Sequence, residues 1–148
     1  MLLKNGGVES QILIEVEHVL PGMEDFEDII EVTNRGEVGA KLEYTIQSVK
    51  IMDEYYEIDE ENGITSETLE NKMKQDYPFK INIEKEDSNL GAEFGKGTFR
   101  ITVTWPYESG DDIVDTEWGN KAYEFYKNNP DEKCIEIKMI LKAIQSIE

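Results

Sequence analysis

Residues 98–105 read TFRITVTW, a strict alternation. Phe99, Ile101, Val103 and Trp105 fall on one side, and Thr98, Arg100, Thr102 and Thr104 on the other. A period of two in β-branched and aromatic residues demands a strand with one buried face. Pro106 ends the run, because proline cannot donate to a ladder. After a polar turn at residues 108–112 the period changes. Val114, Trp118, Ala122 and Phe125 recur at spacings of four and three, which places them on one face of a helix. The two tryptophans bracket this unit and are expected in one core.

The rest of the chain repeats the strand signal. Residues 11–20 form a strand with Ile12, Ile14 and Val16 on one face and Glu15 and Glu17 on the other, closed by the Pro21-Gly22 turn. Residues 24–33 form a second strand around Phe26, Ile30 and Val32. Asn34-Arg35-Gly36 then suits a hairpin that needs a positive φ at the glycine. In the third run, residues 38–51, Val38, Ala40, Leu42, Tyr44 and Ile46 share a face, while Val49 and Ile51 have the opposite parity. One added residue near Gln47-Ser48 restores the phase, so a β-bulge or a change of sheet is expected there. Residues 53–63 read as an acidic loop. Residues 65–75 read as a short helix capped by Thr65 or Ser66, with Leu69 and Met73 stacked. Phe79, Ile81 and Ile83 mark the next strand, and the glycine-bearing residues 87–97 a loop. Residues 134–144 form the last strand, with Ile135, Ile137, Met139 and Leu141 facing inward.

Six or seven strands with two helices in their connections predict a mainly β fold: an antiparallel, jelly-roll-like β-sandwich with two short helices inserted. The first three strands have no helices between them, which argues against a parallel α/β sheet. At 148 residues the chain suits one domain, residues 1–148, with residues 1–9 a flexible or extended N-terminal segment.

Thirty-three acidic against 15 basic residues give a formal net charge of −18. Such a surface repels phosphate backbones and anionic lipid, so nucleic acid and membrane are poor partners. There is no apolar run long enough for membrane insertion. The single cysteine, Cys134, excludes an intrachain disulfide, and no visible base activates it. His18 is the only histidine, which supplies neither a triad nor a zinc site. The sequence therefore nominates no catalytic, cofactor or metal residue and is read as non-enzymatic. Two acidic clusters, from Asp53 to Glu61 and from Asp111 to Glu117, carry enough oxygens for calcium but lack the spacing of a dedicated loop. Solvated acid is their default, and Asp112 or Asp115 reads as a cap of the second helix. Gly91, Gly95 and Gly97 open no helix and make no phosphate cradle. Tyr55, Tyr56 and Tyr107 are candidate sugar-stacking rings. The tryptophans read as core, and Tyr123 and Tyr126 as either core or ligand face.

Two stretches carry a family likeness. PGMEDFEDIIEVTNRGEVGAKLEYTIQSVKI resembles the opening of the TasA/camelysin-like proteins of Gram-positive bacteria. DYPFKINI with FRITVTWPYESGDDIVDTEWGNKAYEFY is similar to a subgroup of secreted clostridial and bacillar proteins associated with them. The resemblance implies a secreted jelly-roll protein, exported by a dedicated signal peptidase and assembled into extracellular biofilm-matrix fibres. It implies copies of the chain or related matrix subunits as partners, with cell-surface components beside them. The N-terminal segment of one subunit, here residues 1–9, would complete a sheet of the next. The leader, and some mature residues after it, are expected to be missing from this chain. The metallopeptidase activity attached to the camelysin name finds no zinc-ligand set here. The runner-up is a cell-surface adhesin or carbohydrate-binding sandwich.

Overall fold

The computed structural model describes residues 2–3, 8–34, 39–86, 89–91, 95–106 and 112–145. Among these residues nine strands and two α-helices follow in order: β1 (Leu2–Leu3), β2 (Val8–Val16), β3 (Phe26–Asn34), β4 (Ala40–Ile51), β5 (Glu54–Glu57), α1 (Ser66–Gln75), β6 (Lys80–Glu86), β7 (Asn89–Leu90), β8 (Gly95–Thr104), α2 (Asp112–Asn128) and β9 (Ile135–Gln145). One sheet runs β1-β3-β8-β6 and the other β2-β9-β4-β5, with β7 also on β4. All pairs are antiparallel except β1 with β3. The first long strand pairs with the last, and the second with β8, which gives the β-sandwich a jelly-roll-like nesting.

The core lies between the inner faces. β8 contributes Phe99, Ile101 and Val103; β9 contributes Ile135, Ile137, Met139 and Leu141, all fully buried. Burying each such side chain stabilises the fold by roughly 1.5–3 kcal/mol before entropy is counted. These are the residues the alternation places inward.

The phase slip in β4 is real. Its register against β9 shifts between Ile46 and Ser48, so Gln47 is the extra residue, and Leu42, Ile46, Val49 and Ile51 all reach the core. The bulge is tied at both sides. The Ile46 N–H donates to Ser66 Oγ at 2.8 Å, and the Ile58 N–H donates to the Gln47 carbonyl at 3.0 Å. Thr65 caps α1 by accepting from the Thr68 N–H at 3.2 Å, which leaves Leu69 and Met73 buried against the sandwich.

Several expectations are corrected. β3 and β4 do not form a hairpin: they belong to different sheets, because each has an apolar face that closes the same core from opposite sides. The glycine expected at the hairpin tip, Gly36, falls outside the described residues. The strand expected over residues 11–20 is β2, from Val8 to Val16, so residues 8 and 9 belong to a strand and 17–20 leave the sheet. The acidic loop at residues 53–63 contains β5, which turns back on β4 through Met52 and Asp53. Met52 adopts φ 55° there, with its side chain buried. The loop expected over 87–97 contains β7 and the start of β8. Gly95 is required at that point, since a Cβ would collide with the backbone of Gly91. Asp115 is no N-cap: it lies inside α2, buried, and accepts from Trp105 Nε1 at 2.9 Å.

α2 crosses the end of the sandwich where β2 and β4 finish and β9 begins. Phe79 bridges the two tryptophans there, with ring centroids 5.4 Å from Trp105 and 6.5 Å from Trp118. Trp105 is fully buried and Trp118 half-buried, so both join one core as expected.

Candidate functional site

Strand order leaves sheet edges, and an edge is a row of backbone donors and acceptors facing outward. α1 packs on β4 and β6 and covers the flank where β6 is the edge. On the opposite flank the edges are β2 and the two-residue β1, which among the described residues leaves most of β3 outermost. On β3 the pairing register puts Phe26, Asp28 and Ile30 on the side of Val103, Ile101 and Phe99, the inner face. Phe26 and Ile30 are only half-buried and pack at the margin of the core, as does Ile12 of β2. Asp28 stands between them, a carboxylate on an inward position of an edge strand, while Ile29 on the outer face is 49% exposed.

The outer side of β3 already receives a strand. Leu2 pairs with Thr33 and Leu3 with Asn34, in parallel. Among the described residues, no strand lies beside Phe26 to Ile30 on that side. The β3 edge thus combines an N-terminal segment docked at its far end with a stretch of open ladder and half-covered apolar side chains.

The other predicted residues are dispersed. His18 is exposed beyond the end of β2, its ring edge-on to Tyr126 with centroids 4.2 Å apart. Cys134 is buried, and burial pushes its thiol up to about 11, away from thiolate chemistry. In the first acidic cluster the carboxylates serve local contacts. Glu54 accepts from the Tyr77 hydroxyl and from the Tyr56 hydroxyl at 2.7 Å, and Asp59 accepts from Asn62. The Tyr77 bond, ahead of the others, holds the Glu54 carboxyl below its ordinary value. In the second, Asp111 lies outside the described residues and Asp115 holds the indole of Trp105. Among the described residues, no group of three His, Cys, Asp or Glu side chains is placed to hold a metal ion.

Tyr55 and Tyr56 do not form one platform. Tyr55 projects into solvent, whereas Tyr56 is half-buried, tied to Glu54 and covered by Lys72 Nζ at 4.5 Å from its ring. Tyr107 falls outside the described residues. Tyr123 and Tyr126 are exposed on α2 rather than in the core. Sequence reasoning missed the β3 edge because it paired β3 with β4. The signal that was available is Asp28 at an inward parity within FEDIIEV.

Searches against family models, curated proteins and solved structures gave no match. Fold and site define a β-sandwich with a partly open, acid-bearing sheet edge.

Proposed function

We propose that this chain is a secreted structural subunit of an extracellular, biofilm-type matrix that joins its neighbours by strand addition and performs no catalysis. The observation that carries the reading is the β3 edge, where the N-terminal strand Leu2–Leu3 docks in parallel while the ladder from Phe26 to Ile30 has no described strand beside it. The N-terminal segment of a second copy, or of a related subunit, laid along that stretch would gain main-chain hydrogen bonds. It would also cover Phe26 and Ile30. A net charge of −18 keeps free copies apart until salt or cations screen it.

The test compares the full chain with a form lacking residues 1–7, by light scattering and negative-stain microscopy, with sodium chloride and calcium chloride at equal ionic strength. Association of the full chain that rises with salt and is lost on truncation is expected. A monomer in every condition, or truncated protein that associates equally well, refutes strand donation. Association indifferent to both salts refutes the electrostatic part. The runner-up, a surface adhesin or carbohydrate-binding module, is favoured by the solvent-facing ring of Tyr55. A glycan array answers it directly.

A further inference from the structure

Residues 17–20 leave β2 and run across the α2 end of the sandwich, and a cleft of about 350 Å³ opens between them and the helix. Its floor is Val19, Ala122, Phe125 and Cys134, all buried. Its walls are His18, Tyr123 and Tyr126. Gly119, in the interior of α2, also lines the cleft. A Cβ there would sit in ordinary van der Waals contact with Pro21, at 3.4 Å, so a side chain larger than a methyl group would press on the loop or enter the cleft.

Three features of the cleft select its ligand. The lining is mostly apolar and contains no lysine or arginine; its one carboxylate, Glu17, is paired with Lys133 Nζ at 2.8 Å. The rings of His18 and Tyr126 meet at 80°, forming an aromatic corner, and Tyr123 stands one helical turn from Tyr126. Tyr123 and Tyr126 are 63% and 48% exposed. The chain covers other aromatic faces with its own ammonium groups: Lys72 over Tyr56 at 4.5 Å, Lys121 over Trp118 at 4.2 Å and, more distantly, Lys50 over Phe125 of the cleft floor at 5.8 Å. Among the described residues, no cation covers Tyr123 or Tyr126. The molecule around them carries a net charge of −18.

An anion would be repelled by that field, and a sugar would find few hydrogen-bonding groups on an apolar floor. A second copy brings the same negative charge. From this combination we infer that the cleft is a binding site for a small organic cation with an apolar body, of the quaternary-ammonium class. The alkyl groups contact Val19, Ala122 and Phe125, and the positive charge lies against the tyrosine faces, the arrangement aromatic cages use. The site is at the α2 end, away from the Leu2–Leu3 docking point, and does not depend on the assembly reading.

The test is titration of the full chain with choline and with 3,3-dimethylbutan-1-ol, its neutral isostere, by calorimetry and by tyrosine ring-proton shifts in NMR. Saturable choline binding, about tenfold or more tighter than the alcohol, is expected. Tyr126→Ala, an exposed change that spares the core, should weaken choline about tenfold with unaltered circular dichroism. Gly119→Leu should abolish binding by filling the cleft. Absence of saturable binding, equal affinity for the alcohol, or full affinity in Tyr126→Ala overturns the assignment.

Discussion

Replacing Asp115 by alanine tests the contact that joins the last inward residue after β8 to α2. Trp105 and Asp115 are 1% and 5% exposed, and the indole N–H donates to Oδ1 at 2.9 Å. Alanine removes the acceptor and strands a buried donor, at about 1–3 kcal/mol. It also removes a carboxylate from the first turn of α2, worth about 0.3–1 kcal/mol. The total, about 1.5–4 kcal/mol, corresponds to a fall in melting temperature of about 3–16 °C for a chain of this size. Asp115→Asn keeps an acceptor and should lose less than half as much. Urea unfolding followed by tryptophan fluorescence measures both, and the pair is closed with Trp105→Phe. If the contact acts as described, Asp115→Ala costs at least about 1 kcal/mol less in the Trp105→Phe background. Additive effects, or a loss under about 0.5 kcal/mol for Asp115→Ala, would refute the reasoning.

Ser66→Ala removes the acceptor for the Ile46 N–H at the bulge and should cost about 1–2 kcal/mol in urea unfolding, with β4 losing hydrogen-exchange protection first. The Glu54 carboxyl has a folded pKa below its unfolded value, because the Tyr77 and Tyr56 hydroxyls donate to it. Its contribution is therefore complete above the unfolded value and lost as pH falls through the folded one. The stability gap between parent and Glu54→Gln should shrink on the acid side of the ordinary carboxyl range in denaturation at stepped pH. Cys134, buried with its thiol pushed up to about 11, should react with a disulfide reagent only at the rate of unfolding. Asp28→Val removes the inward carboxylate of the β3 edge and should make association faster at low salt by light scattering.

Much of the fold is legible because burial writes itself into parity. The alternation of β8 and β9 names their inward residues outright, and the slip between Ile46 and Val49 locates the bulge at Gln47. Thr65, Leu69 and Met73 announce α1 by a cap and a stacked pair. What is not legible is who pairs with whom. β3 and β4 are neighbours in sequence with matched apolar faces, which a hairpin and a crossing between sheets satisfy equally well. β5 is hidden because EYYE has no apolar alternation; its place is set by the turn at Met52 and by hydrogen bonds from Tyr56 and Tyr77 to Glu54. Asp115 reads as a cap because a carboxylate in a first helical turn usually serves the backbone. Its indole partner lies on another element. Tyr123 and Tyr126 stay ambiguous in sequence, since a helix crossing the end of a sandwich exposes one of its faces.

The distribution of charge gives the sandwich two different kinds of surface. β3 carries Asp28 on its inner face and Glu27 and Glu31 on its outer face, the latter two ion-paired across to β8 with Arg100 at 3.8 Å and Lys96 at 3.7 Å. In the proposed assembly an incoming strand meets Asp28 before it covers Phe26 and Ile30. Pairing in that proposed assembly is therefore hindered between bare copies and eased by screening or by cations. In the cleft at the α2 end the one carboxylate, Glu17, is held by Lys133, so the net charge acts there mainly as a long-range field that concentrates cations. Under these two proposals the edge selects by backbone pairing and the cleft by aromatic faces. A cation that reaches the cleft therefore leaves the ladder of β3 chemically unchanged.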